Sequence, residues 1–485
     1  MRLEHCRTRR FPRGIDSGEQ NIRSRGFNLL PARGDKSPTP MRGMRFQPNE
    51  ILFSGKSSFR IVCLILLLGC WTTAWANWPD FRGPSHNGHV PMNSDGSQVG
   101  LPLDWSESEN LVWKTPIPLH GWSTPVIWGD RIWLTTATAD GHEDYAICVD
   151  KNTGEVLIDK KLFYNEAPEP LGNDVNNYAA PSPVIEEGRV WVHFGSYGTA
   201  CLDSQSGETI WERRDYPCKH YRGPGSSPFI YEDKLILTFD GIDYQYVVAL
   251  DKATGKEIWK VDRTTEWTDL DENGKPKRDG DFRKAYCTPL IAEIDGRTQM
   301  LLPGSMTVYS YDPEDGGEIW RANDGGYSAA CRPVLGDGMG FFSIGQGRGG
   351  YMGIRLKDIE GDVTDSHVVW RQEQGMPKRS SPVFVDGLLY LASDGGIATC
   401  LEPETGEIVW KERLGGNVTA SPIYADGRIY LFDEDGETTI LQPGRSYDVV
   451  KKNPLDEGML ASPAVDGKAL YLRTKTHLYR IEAID

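Results

Sequence analysis

Along most of the chain, apolar residues alternate with polar ones in short runs separated by turn residues. The stretch Val383-Phe384-Val385-Asp386-Gly387-Leu388-Leu389-Tyr390-Leu391-Ala392 is typical. A period of two on either side of Asp-Gly predicts a hairpin with one buried face. Such hairpins recur, each opened by a proline, at Pro125, Pro183, Pro228, Pro289, Pro333, Pro382, Pro422 and Pro463, spaced 40 to 61 residues apart.

Most repeats close with a second hairpin. It reads Ala249-Leu250-Asp251-Lys252-Ala253-Thr254-Gly255-Lys256-Glu257-Ile258-Trp259 in one repeat and Cys201-Leu202-Asp203-Ser204-Gln205-Ser206-Gly207-Glu208-Thr209-Ile210-Trp211 in another, with related versions ending at Trp320 and Trp410. Asp and Thr/Ser bond to turn amides, Gly supplies a positive φ, and Trp closes the strand by packing between neighbouring sheets. Four short strands per repeat and almost no helical periodicity predict an all-β chain of propeller blades.

The count closes as an eight-bladed β-propeller of four-stranded antiparallel blades. Terminal strands fall at Leu157, Trp211, Trp259, Trp320, Trp370, Trp410 and Val449-Val450. Trp113 precedes the first proline-led strand, so it is expected to supply the outer strand of the last blade and leave no open sheet end. Seven blades with a stray hairpin is the competing count.

Charge narrows the function classes. The chain carries net −16, yet residues 1–60 hold 13 Lys/Arg against 5 Asp/Glu, so the remainder is more acidic still. Such a surface repels nucleic acid and anionic lipid, which excludes a nucleic-acid role. Lys56 and Arg60, the apolar run 61–69 and the small residues ending at Ala76 have the three-part layout of a secretory signal. Residues 1–76 are therefore expected to be a mis-assigned leader plus signal, 77–110 an N-terminal extension, and 111–485 the propeller. The apolar run is too short for a transmembrane span, and an exported periplasmic or envelope monomer is expected. Leu67-Leu68-Gly69-Cys70 also resembles a lipoprotein box, a competing reading with a lipid anchor at Cys70. Six cysteines remain beyond the leader, and in an oxidising compartment they permit disulfides, with Cys201 and Cys218 the favoured pair.

The repeated Ala/Cys-x-Asp-x-x-Thr/Ser-Gly-x-x-x-Trp motif resembles the tryptophan docking motif of the pyrroloquinoline-quinone (PQQ)-like repeat family. The resemblance covers essentially all of residues 105–485. It lies closer to the small exported propellers, such as the outer-membrane protein assembly lipoprotein, than to the large quinoprotein dehydrogenases. The opening Trp78-Pro79-Asp80-Phe81-Arg82-Gly83-Pro84 is similar to the start of many exported PQQ-like repeat proteins. Dehydrogenases of the family hold PQQ with an adjacent-cysteine disulfide, a tryptophan platform and a Ca²⁺ bound by Glu, Asn and Asp beside a base Asp. That set is not recognisable in this sequence, where no two cysteines are adjacent.

In such blades the proline-led strand lies nearest the axis. Residues just before each proline are then expected to ring one channel mouth: His120, Trp122, Asn177, Tyr178, His220, Tyr221, Arg222, Lys284, Tyr286, Arg332, Arg379 and Asn417. Cations and aromatics converging in an acidic protein suit an anionic or planar ligand, or equally just a hydrated channel mouth. The stretch Cys218–Ser227, with Asp240 and Asp243 in the next hairpin, offers a titratable histidine, a cation and two carboxylates, against the alternative of a structural loop cross-link. Asp269, Asp271 and Asn273 are spaced as in a Ca²⁺ loop, but Gly280 stands where the bidentate Glu belongs, which favours a solvated acidic turn. Gly345-Gln346-Gly347-Arg348-Gly349-Gly350 matches GxGxxG but precedes a strand, so it is expected to be an inter-strand loop.

The leading expectation is a binding or scaffold propeller of the cell envelope, holding an envelope protein or a small anionic or planar ligand. A PQQ- and Ca²⁺-dependent oxidoreductase of alcohols or sugars is the alternative, and a carbohydrate-binding propeller the third.

Overall fold

The computed structural model describes residues 77–484, apart from 173–174, 348–349 and 374. The expected leader, export signal and Cys70 lie outside these residues. Eight antiparallel sheets are formed, as the repeat count predicts. Blade 1 consists of Val126–Trp128, Arg131–Ala137, Glu143–Asp150 and Val156–Tyr164, paired in chain order. Blades 2 to 7 follow at 184–213, 229–262, 290–323, 334–372, 383–413 and 423–454. Blade 8 takes three strands from 464–481 and its outermost from Leu111–Pro116, with Trp113 opposite Arg480 and Lys114 opposite Tyr479. The ring therefore closes through the N-terminal strand, which supplies the last sheet's fourth, outermost strand.

Burial along the strands shows where the core sits. Lys234–Asp240, second in blade 3, is buried at every position, whereas Val156–Tyr164, outermost in blade 1, alternates between half-buried and exposed apart from the buried Phe163. Inner strands are covered on both faces by neighbouring blades, and outer strands are covered partly by neighbours and partly by water. Apolar clusters accordingly span blade pairs, as Leu237 and Phe239 of blade 3 do with Trp191 and Cys201 of blade 2.

The closing tryptophans lock one blade to the next. Trp113, Trp211, Trp259 and Trp370 each donate their indole N–H to a carbonyl in the following blade's turn, at Lys151 (3.1 Å), Lys252 (3.0 Å), Pro313 (3.2 Å) and Pro403 (2.7 Å). The turn glycine is required twice over. Gly255 has φ +71°, and a Cβ there would lie 2.7 Å from Trp211; Gly406 has φ +70° and would meet Trp370 at 2.5 Å. Blade 4 departs from this scheme. Trp320 bonds Gln299 in its own sheet (2.9 Å), and the short strand Gly361–Asp362 pairs with it in parallel, because blade 5 lacks the Asp-x-x-Thr-Gly turn.

The expected Cys201–Cys218 disulfide is not formed. All six described cysteines are free and buried. Cys201 lies mid-strand in blade 2 opposite Trp191 and Trp211, while Cys218 sits in the loop that follows, its Sγ 3.7 Å from His220 Nδ1. Burial pushes the Cys201 thiol up to about 12 and raises Cys218 as well, so both stay protonated.

Two features of the axis position the site. The first is a belt of hydroxyls at the residue before every repeat proline except Pro333. The backbone N–H groups of Thr124, Ser182 and Ser227 donate to the hydroxyls of Ser182, Ser227 and Thr288 (2.9, 2.9 and 3.0 Å). Those of Arg332, Ser381 and Ser421 donate to Ser381, Ser421 and Ser462 (2.9, 3.0 and 2.9 Å). Each bond joins one blade to the next.

The second is the N-terminal segment, which crosses the far end of the channel. Trp78 pairs with Ile127 of blade 1, the Ile185 amide of blade 2 donates to Pro79 O (2.9 Å), and Val90 donates to Tyr424 O of blade 7 (2.9 Å). Each of these partners lies two residues past its proline, on the side of the belt away from the residues that precede it. Between these anchors Arg82 donates to Ser381 O (2.9 Å) and Pro382 O (2.7 Å) in blade 6. Arg332, the one belt position without a hydroxyl, donates to Pro289 O (2.9 Å) and Phe81 O (2.5 Å). The chain then continues along blade 7, where Asp426 accepts the amides of Val99, Gly100 and Leu101 (2.9, 2.9 and 2.8 Å). The extension closes one end of the ring and is built into it.

Candidate functional site

Closure at one end leaves a cavity of about 420 Å³ at the other, with Phe81 of the N-terminal segment among the residues that line it. Its wall has two tiers. Extended chain points every second side chain the same way, so the belt position and the residue two before it both face the axis. Thr124, Ser182, Ser227, Thr288, Ser421 and Ser462 form the inner tier; Trp122, Tyr286, Arg379 and Thr419 stand in the outer one.

Four cations and two carboxylates line this mouth: Arg222, Lys284, Lys378 and Arg379 against Asp281 and Asp394. Lys284 is buried and ion-paired to Asp281, and burial lowers its pKa. Arg379 lies 3.3 Å from Asp394 and 3.7 Å from Glu434. Arg222 and Lys378 have no ion-pair partner among the described residues, although Arg222 stacks over the Tyr221 ring at 5.0 Å. A net positive mouth thus stands in a net negative protein.

The structure places the expected ring residues unevenly. Trp122, Arg222, Lys284, Tyr286 and Arg379 line the cavity. His120 is exposed and pairs with Ala137 outside the cavity. Asn177 is buried and caps its own loop by accepting the Ala179 amide (2.7 Å), and Tyr178 donates to Glu169 O (2.6 Å); neighbouring Asn176 and Ala180 line the wall instead. Tyr221 supports Arg222 and Lys284 from behind, with Lys284 Nζ 5.0 Å from its ring centre. Asn417 is exposed away from the cavity, and Arg332 points to the closed end.

Of the acid–base grouping around Cys218–Ser227, His220 and Asp240 line one small cavity of about 10 Å³, but each is already engaged. His220 is enclosed, accepts the Ser196 amide at Nε2 (3.0 Å), and burial pushes its pKa down to about 4. Asp240 forms a buried two-point ion pair with Arg263 (3.0 and 2.7 Å), and Asp243 accepts the Lys219 amide (2.7 Å). These groups are consumed by the scaffold. The residues spaced like a Ca²⁺ loop are likewise engaged: Asp269 pairs with Arg283 (2.5 Å), while Asp271 accepts the amides of Asn273 (2.8 Å) and Lys275 (2.9 Å). Gly345 and Gly350 pair between the strands Met339–Gly347 and Gly350–Arg355, which hold most of the GxGxxG stretch, while 348–349 lie outside the described residues.

These features define a class: a tryptophan-docked propeller of eight blades with a ligand-sized axial pocket closed at one end. A family model described as outer membrane protein assembly factor BamB matches residues 105–288, 243–351 and 360–445, and the chain belongs to that PQQ-like propeller family. A comparison with curated protein sequences gives no match. Among solved structures, BamB from Moraxella catarrhalis is similar at 14% identity and TM-score 0.51, over 76% of this chain and 99% of that one. A europium-containing methanol dehydrogenase is similar at 12% and 0.60, over 82% and 89%. A quinohemoprotein alcohol dehydrogenase from Comamonas testosteroni is similar at 13% and 0.56, over 84% and 81%. At such identities the likeness speaks for the fold alone.

The cavity can be tested against the quinone that the family's dehydrogenases carry. Its cations and Trp122 suit an acidic planar group. The metal that accompanies the quinone asks for several convergent oxygen ligands, and here the two wall carboxylates are each held by a cation. Among the described residues no group of three His, Cys, Asp or Glu is placed to hold a metal ion. The residues fit the anionic part of such a cofactor and not its metal.

Proposed function

We propose that the chain is an exported binding propeller of the cell envelope, which holds a ligand or partner segment at its axial mouth and carries out no chemistry there. One observation carries this reading. The channel is a one-ended pocket lined by two cations, Arg222 and Lys378, that have no ion-pair partner among the described residues, while His220, Asp240 and Asp243, the groups suited to acid–base work, are tied into the scaffold. Convergent cations grip anionic groups without further machinery. Among the described residues no helix is long and apolar enough to cross a membrane.

The second reading, a PQQ- and Ca²⁺-dependent oxidoreductase, is compatible with a fold shared with such dehydrogenases. One experiment separates the two. Purified full-length protein is mixed with PQQ and Ca²⁺, then assayed for a stoichiometric quinone absorbance and for dye reduction with an alcohol or an aldose. Neither signal is expected, and dye reduction overturns the binding reading. Carbohydrate binding ranks third, because most tryptophans are spent between blades and Trp122 is the one that lines the mouth.

A further inference from the structure

We infer that the inner tier of the axial chamber is an oxyanion site, and that the ligand is a small organic acid entering with its anionic group first. The inference rests on the binding reading above and names the chemistry of that ligand.

The belt hydroxyls supply the first observation. The oxygens of Ser182, Ser227, Thr288, Ser421 and Ser462 each accept a neighbouring blade's amide, so that acceptor capacity is used. None of these O–H groups has an acceptor among the described residues. All five side chains are more than nine-tenths buried, and all five line the cavity. Donors that line an open chamber are met by water or by a ligand's acceptor oxygens, so five of them on one chamber form a donor set that an oxyanion can take over from water. A carboxylate or phosphate offers several lone pairs in a compact group and can take more than one such donor.

The second observation is charge. Besides the outer tier, Arg222 and Lys378 line the cavity, with no ion-pair partner among the described residues. Their field draws anions into a chamber whose surrounding protein repels them elsewhere. Trp122 and Tyr286, in the outer tier, offer ring faces to the body of the ligand. The volume of about 420 Å³ lies within the range of small-molecule pockets, well above what a bare inorganic ion needs.

Three probes with one sugar body test this: glucuronate, glucose 6-phosphate and glucose, titrated calorimetrically into the full-length protein. At least one acid is expected to bind tenfold or more tightly than glucose and to weaken as salt rises. The carboxylate and phosphate arms show which oxyanion is preferred. Arg222→Gln and Lys378→Gln are each expected to weaken the acid at least fivefold. The double variant Ser421→Ala/Ser462→Ala is expected to do the same, and Ser421→Thr/Ser462→Thr, which keeps both hydroxyls, to restore binding. Equal affinity for all three probes, binding by none, or acid binding untouched by the cation variants overturns the inference. Dye reduction with PQQ and Ca²⁺ on the same preparation is the separate result that sinks the binding reading itself.

Discussion

At the closed end of the channel Arg82 and Arg332 are fully buried and held by backbone carbonyls, whereas at the open end Arg222 and Lys378 are half-exposed and have no ion-pair partner among the described residues. The price of the first arrangement is visible in protonation: desolvation, with the two guanidinium charges opposing each other, lowers Arg82 to about 9. Carbonyl bonds and, for Arg332, the Phe229 ring at 4.9 Å and Asp80 at 3.6 Å offset that cost. A cation with its donors aimed at its own backbone is structural. One that lines an open cavity with no ion-pair partner among the described residues is available to an anionic ligand. Residue type alone does not separate the two roles.

The largest effect is expected at the closed end. Arg332→Met leaves the Phe81 and Pro289 carbonyls without their donor, and stability measured by urea unfolding is expected to fall by roughly 3–5 kcal/mol. A loss under about 1 kcal/mol would mean that the N-terminal segment is held by other contacts. The walls between the two ends come next. Gly255→Ala puts a Cβ against Trp211 at a positive φ, and a loss of about 2 kcal/mol is expected by the same measurement.

Buried and rim carboxylates extend the comparison to acids. Asp144 is fully buried, accepts Asn165 Nδ2 (2.9 Å), and desolvation pushes its pKa up to about 7. The folded chain then holds a proton that the unfolded chain releases near its ordinary value, so this group's stabilisation is present at low pH and is lost as pH rises from about 4 to about 7. Asp144→Asn removes that slope, at most about 1.4 kcal/mol per pH unit. The variant's Tm relative to the parent is expected to climb across that window and level off above it; a constant difference would place the carboxyl in water.

The smallest effect belongs to the rim. Lys378→Gln and Arg222→Gln are expected to leave unfolding stability within about 0.5 kcal/mol of the parent, since neither side chain has an ion-pair partner to lose among the described residues. A drop as large as that of Arg332→Met would erase the distinction between the two ends.

Much of the site was legible and the rest was not, for a geometric reason. Trp122, Tyr286 and Arg379 face the axis because each stands two residues before the belt position, and strand alternation carries that parity. Counting back by two from every Ser/Thr-Pro would also have found Ala180, Thr419 and Leu460, which residue chemistry alone passed over. Nothing local marks Lys378 or Asp281, which reach the mouth from loops. The reactive look of Cys218–Ser227 misled because burial of His220 and the Asp240–Arg263 pair depend on neighbouring loops that the stretch itself does not specify.

Alternation, turn glycines and closing tryptophans are nearest-neighbour signals, so the chain alone determined the blades, their number and closure through the Trp113 strand. What lies at the axis is set by contacts between residues some 250 to 300 positions apart, such as Arg82 with Ser381 and Arg332 with Phe81. No local periodicity encodes such pairings. Only the folded ring decided that one end is shut by the N-terminal segment and that the free charges gather at the other.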